Sequence, residues 1–224
     1  PEHLVYSADT ETIYLTYRNG RITRIDTTEE NPSEALLTDT QADIVGISPA
    51  GEYVYAAVSV QYSTSLRTYD ADGQLVDSES VSSESFEGVW NAASRKVVYR
   101  ANYYSNSIID HAIESDGSFG DRTYGSIADA SPTRPFFSHP TESLVLTSNG
   151  IFYDPNARET AAVLPESLLD AVWVSGALYT LHENALKTWT LPTYGEGDTL
   201  AFATEPIALD ASDGKLVFTS LLPS

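Results

Sequence analysis

Short apolar runs alternate with polar turns along the chain, and the alternation itself recurs. Six segments share one plan: YSADTETIYLTY (6–17), ISPAGEYVYAAV (47–58), WNAASRKVVYRA (90–101), FSHPTESLVLTS (137–148), WVSGALYTLHEN (173–184) and LDASDGKLVFTS (209–220). Each opens on a large apolar residue: Tyr6, Ile47, Trp90, Phe137, Trp173 or Leu209. Each then passes through a small or polar turn into alternating β-formers such as TIYLTY, YVYAAV or KVVYRA. A period of two places one set of side chains on each face of a strand. The openings stand 36 to 47 residues apart, and a fixed period of about 40 is the mark of stacked repeats. A third strand follows in each of the first five units (RITRID, SLRTYD, SIIDHAI, GIFYD, ALKTWTL), and a more polar fourth closes it. Asp-Gly in DADG and ESDG supplies the positive φ that a tight turn between them needs. The segments 32–44 and 165–172 carry helix-like patterns but fall where the repeat wants a strand or a connection.

Four strands in about 40 residues fit a propeller blade. The turns SPAG (48–51), SHPTE (138–142) and ASDG (211–214) resemble the SPDG-type turns of β-propeller repeat proteins, and the likeness spans essentially the whole chain. The resemblance implies an all-β fold of four-stranded antiparallel blades, with five complete repeats and a partial sixth. The expected bounds are 1–40, 41–83, 84–130, 131–167, 168–205 and 206–224, in one propeller domain or fragment. No WD dipeptide, Asp-box or kelch di-glycine assigns a subfamily. The six apolar openings are expected to be buried equivalently between neighbouring blades, since no blade buries its own faces alone.

Charge narrows the partners. The net charge is −20, from 32 acidic and 12 basic residues, of which only Lys96, Lys187 and Lys215 are lysines. Such a surface repels nucleic acid and anionic lipid, and it suits saline surroundings, which screen self-repulsion. A marine or halophilic source is the expectation. The absence of Cys removes disulfides and thiolate chemistry. No apolar run approaches the roughly 18 residues that span a bilayer, so no membrane insertion is expected. The start at Pro1 suggests a piece of a longer extracellular, cell-surface or periplasmic protein with flanking domains.

Candidate chemistry is sparse. There is no glycine-rich phosphate loop, nucleophile elbow or His-Glu-x-x-His. His139 reads as a turn residue, and His111 and His182 as half-exposed strand residues. DADG and DASDG lack the spacing of a calcium loop and read as hairpin turns, so no cofactor is expected, with calcium as the alternative. The repeat alignment brings His3, Asp43, Glu87, Arg134 and Asp170 to the starts of the first strands, where they would ring one mouth of a central channel. The turns between second and third strands open on the same mouth. Two of them, VQYSTS (60–65) and NYYSNS (102–107), read as long loops rich in Tyr, Asn and Ser, the chemistry of adaptable recognition. Tyr62, Tyr103, Tyr104 and Arg134 are therefore the expected ligand-binding residues, and the opposite end, with its tight turns, is expected to offer little surface. The function read from this is a non-catalytic propeller module that binds a protein or carbohydrate. A lactonase- or glycosidase-like hydrolase or lyase using Asp43, Glu87 and Asp170 is the alternative, and a structural spacer a third.

Overall fold

The computed structural model describes residues 1–82, 86, 88–100, 107–127, 133–190, 193–202, 206–212 and 215–220. These fall into two compact units, Pro1–Ser131 and Pro132–Ser224. The first unit holds three four-stranded sheets. They are β1–β4 (His3–Ser7, Thr12–Thr16, Arg21–Asp26, Ala35–Asp39), β5–β8 (Ile44–Ala50, Tyr53–Val60, Ser63–Tyr69, Leu75–Ser82) and β9–β12 (Val89–Asn91, Lys96–Arg100, Ser107–Ile113, Phe119–Ser126). The second unit holds β13–β16 (Phe136–Ser138, Val145–Thr147, Ile151–Asp154, Glu159–Val163) and β17–β20 (Asp170–Val174, Ala177–His182, Ala185–Thr190, Gly195–Ala201). It ends in a two-stranded sheet, β21 and β22 (Pro206–Ser212, Lys215–Ser220). Every sheet is an antiparallel meander whose spatial order is its chain order. No helix occurs among the described residues, and the helix-like stretch at 32–44 supplies strand β4.

Each of the six apolar openings pairs with the strand that follows it, across first hairpins of different lengths. Tyr6 faces Ile13 across the first strand pair, Ile47 faces Ala56, Trp90 faces Val97, Phe137 faces Leu146, Trp173 faces Leu178 and Leu209 faces Phe218. The cores lie between consecutive sheets. Tyr14, Ile22 and Leu37 of the first blade pack on Ile47, Val54 and Val58 of the second. Ala50, Tyr55 and Leu66 of the second pack on Trp90, Val97 and Ile109 of the third. In the second unit Leu146 and Phe152 meet Leu178 and Trp189, and Leu181 and Leu186 meet Leu209.

Burial of the openings is not uniform. Ile47, Trp90 and Leu209 are buried, Phe137 and Trp173 half-buried, and Tyr6 is 51% exposed. Strand alternation explains Tyr6. Its neighbour Val5 packs against the core shared with the second blade, so Tyr6 stands on the other face of β1, beside exposed Leu4.

The blades of the first unit are also locked by their turns. Gly73 of DADG has φ +77°, and a Cβ there would lie 1.9 Å from the Leu37 carbonyl oxygen of the preceding blade. Gly117 of ESDG has φ +83°, and a Cβ there would strike the Tyr53 ring of its preceding blade at 2.5 Å. Both positions need glycine twice over, for conformation and for space. Around them Arg24 Nη1 donates to the Ala71 carbonyl, Thr68 Oγ1 donates to the Gly117 carbonyl at 2.7 Å, and the Phe119 amide donates to Asp77 Oδ2 at 2.9 Å.

Candidate functional site

One end of the first unit carries three of the residues expected at a binding mouth. The His3 amide donates to Thr16 Oγ1 at 3.2 Å, at the start of β1. The Asp43 carbonyl accepts from the Ser59 amide at 2.8 Å, which sets exposed Asp43 beside the end of β6. That strand and β7 pair as far as Val60 and Ser63. Residues 60–65 are thus no long loop, because the β-branched Val60 and Thr64 extend the ladder. The turn shrinks to Gln61, at φ +49°, and Tyr62. Tyr62 is 97% exposed, with Val60 also exposed beside it. At the equivalent turn of the first blade, Tyr17 Oη donates to Glu34 Oε1 at 2.7 Å and Arg18 Nε to Glu2 Oε1 at 2.7 Å. The Tyr17 hydroxyl holds the Glu34 carboxyl below the usual carboxylate range. Glu2, Tyr17, Arg18 and Arg21 line a cleft of about 450 Å³ here.

Other expected residues do not join this group. Glu87, Tyr103 and Tyr104 lie outside the described residues. Arg134 and Asp170 belong to the second unit. Arg134 is half-buried, and its carbonyl accepts from Ser148 Oγ at 2.7 Å. Asp170 is a tie between sheets. Its Oδ2 accepts from the Leu209 amide on β21 and its Oδ1 from the Ala171 amide, both at 2.8 Å. Burial pushes its carboxyl above the ordinary range against the pull of those two amides.

The strand histidines are buried, contrary to the half-exposed reading. His182 is held on both nitrogens. Nδ1 lies 2.7 Å from the Ser167 carbonyl, which can only accept, so Nδ1 carries a proton. Nε2 is hydrogen-bonded to Thr180 Oγ1 at 2.8 Å, and the same hydroxyl accepts from Trp189 Nε1 at 2.7 Å. His111, in the seam between second and third blades, is wholly buried, and neither ring nitrogen has a hydrogen-bond partner. Its ring stacks on Phe119 at 4.6 Å and stands edge-on to Tyr55 at 6.4 Å. His139 holds its turn, Nδ1 accepting from the Thr141 and Glu142 amides at 3.2 and 2.9 Å. The turn DADG is likewise satisfied from within, since Asp70 Oδ1 accepts from the Asp72 and Gln74 amides at 2.9 Å.

The opposite end of the first unit offers more surface than its turns suggest. First-to-second-strand turns from three successive blades converge on a cleft of about 490 Å³. Asp9 comes from the first, Gly51, Glu52 and Tyr53 from the second, and Trp90 and Arg95 from the third. Sequence reasoning passed over this site because its residues lie in separate repeats. The clue present in the sequence was the pair of aromatic residues, Tyr53 and Trp90, flanking two of those turns.

No family model and no curated protein sequence matches the chain. Solved structures do. A functionally unknown protein from Desulfotomaculum acetoxidans is 11% identical with a TM-score of 0.68, over 90% of this chain and 70% of that one. The dihydro-heme d1 dehydrogenase NirN is 12% identical with a TM-score of 0.69, over 97% of this chain and 50% of that one. The C-terminal WD40 domain of Sif2 is 14% identical with a TM-score of 0.61, over 96% of this chain and 63% of that one. Together with the repeated four-stranded meanders, these likenesses show the β-propeller repeat fold, without a specific subfamily.

Proposed function

We propose that the chain is a non-catalytic binding propeller, and that a protein partner engages the end of the first unit that carries Tyr62. The observation that carries this reading is Tyr62 itself: an aromatic side chain 97% exposed on a two-residue turn between long paired strands. A ring held on a rigid hairpin offers contact area at little entropic cost. The equivalent turn of the preceding blade carries Tyr17 and Arg18, which line a cleft with Arg21, and Tyr and Arg are the residues that dominate protein interfaces. Two further facts support a polypeptide partner. The fold is shared with a WD40 domain, and a chain in a mitotic checkpoint complex is 11% identical with a TM-score of 0.65, over 98% of this chain and 72% of that one. The net charge of −20 argues against nucleic acid.

The test is selection of displayed peptides on the intact chain, followed by titration against Tyr62→Ala. Loss of a central aromatic contact of about 2 kcal/mol weakens binding about 30-fold. The melting temperature should not change, because the ring touches no core. Peptides that bind Tyr62→Ala as well as the parent would remove this face from consideration.

A further inference from the structure

Three buried nitrogens in the seam between the second and third blades lack hydrogen-bond partners: Trp90 Nε1 and both ring nitrogens of His111. Trp90 belongs to the core of that seam. His111 lies beside it, stacked on Phe119 and edge-on to Tyr55. The core between the first and second blades contains no such atom among its described residues. An unpaired buried polar group has given up its hydration and gained no bond in return. Parting the seam at His111 therefore rehydrates three nitrogens, and parting the other rehydrates none. The polar ties across the seam at His111 include Tyr53 Oη on the Ser115 carbonyl, Thr68 Oγ1 on the Gly117 carbonyl and the Phe119 amide on Asp77 Oδ2.

His111 adds a trigger. Protonation puts a donor on each ring nitrogen, and the closed seam offers no acceptor for either. Glu79 Oε2 on β8 is 3.4 Å from Nε2 without hydrogen-bond geometry, and Glu79 also faces Arg122 Nη1 on β12 at 3.6 Å. The Arg122 charge opposes a second cation. Asp77 and Asp110 attract one, but both are already engaged. Asp77 accepts from the Phe119 and Ser78 amides, and Asp110 from Lys96 Nζ at 2.7 Å and Thr123 Oγ1 at 2.6 Å. The closed seam therefore holds the neutral ring, and a parted seam, where water solvates the imidazolium, holds the charged one. A proton that binds one state better shifts the population toward that state. We infer that the seam between the second and third blades is an acid-opened joint: it parts when His111 takes up a proton, while the core between the first and second blades stays closed. Parting uncovers Tyr55, Val97 and Ile109, which the closed seam buries.

The Phe119 amide crosses the seam to Asp77, so its hydrogen exchange in the intact chain reports parting. The Tyr14 amide, inside the first blade, is the reference. Exchange is measured by NMR at pH 7 and pH 5 and corrected for the intrinsic pH dependence of amide exchange. With the ring titrating at 6.5 in the parted state and at about 4 in the closed one, opening at Phe119 should rise about twentyfold from pH 7 to pH 5. Tyr14 should show no such rise. His111→Leu, which has nothing to protonate, should abolish the rise at Phe119. If that variant does not fold, the comparison of Phe119 with Tyr14 in the parent decides the matter alone. A Phe119 amide no faster at pH 5 would overturn the inference. So would an equal rise at Tyr14, which means that the whole unit unfolds, or a rise that persists in His111→Leu, which moves the trigger to Asp77.

Discussion

His111 makes the stability of the first unit depend on pH, and the size of the effect follows from its surroundings. The imidazole sits between Phe119 and Tyr55 with no hydrogen bond to either nitrogen. Glu79 Oε2, on β8, is 3.4 Å from Nε2 but lacks hydrogen-bond geometry, and it also faces Arg122 Nη1 on β12 at 3.6 Å. The carboxylates of Asp77 and Asp110 favour the charged ring, and Asp110 is itself paired with Lys96. Desolvation outweighs them and, with the Arg122 charge, lowers the pKa from 6.5 to about 4. The native ring therefore stays neutral where the unfolded ring takes up a proton. Stability rises with pH wherever the unfolded state binds more protons. The contribution is thus fully present above 6.5, is lost progressively as pH falls to 4, and is flat below. At 1.36 kcal/mol per pKa unit the loss is about 3 kcal/mol. His111→Leu removes the titrating group and the two unpaired nitrogens while keeping similar bulk. Urea unfolding at pH 4, 5, 6 and 7 gives the difference between variant and parent, in which the titration of other groups cancels. That difference should move in favour of the variant by about 3 kcal/mol from pH 7 to pH 4. Parallel profiles would mean that the ring is solvated in the fold. A parent that gains on the variant as pH falls from 7 to 5 would mean a protonated His111 paired with Glu79, and either result refutes the argument.

Two further substitutions probe buried polar ties in the second unit. Asp170→Ala strands the Leu209 amide between β17 and β21 and should cost about 1–3 kcal/mol in urea unfolding, with faster hydrogen exchange at Leu209; Asp170→Asn, which keeps an acceptor, should cost less. Thr180→Val preserves shape but takes a hydrogen-bond partner from His182 and an acceptor from Trp189. It should also cost about 1–3 kcal/mol, and a neutral outcome would show that the network is not closed through the hydroxyl.

Periodicity made the architecture legible, because strands and turns are local and every apolar opening pairs with the strand that follows it. Coverage of those openings was not legible. Ile47 and Tyr6 both open a first hairpin, yet among the described residues Ile47 packs in a core between two sheets while Tyr6 is exposed. The candidate sites were harder still. Tyr62 stood out as an aromatic in a polar turn, but the two-residue geometry that exposes it arises from ladder pairing across β6 and β7. Asp170 looked like a free strand-start carboxylate, and the amide that occupies it comes from 39 residues further on. The cleft at Trp90 joins residues from three repeats, a juxtaposition that no single window of sequence contains.

The placement of Gly73 and Gly117 gives the first unit a direction. Each turn glycine presses on the blade before it, on Leu37 in one case and Tyr53 in the other. A chain emerging from the ribosome completes the earlier blade first. Each newly made blade then finds its seat already built, and its last hairpin turn closes the joint. Assembly can proceed like laying courses of brick, each resting on the one beneath, with little apolar sheet face left waiting for a partner still to be synthesised.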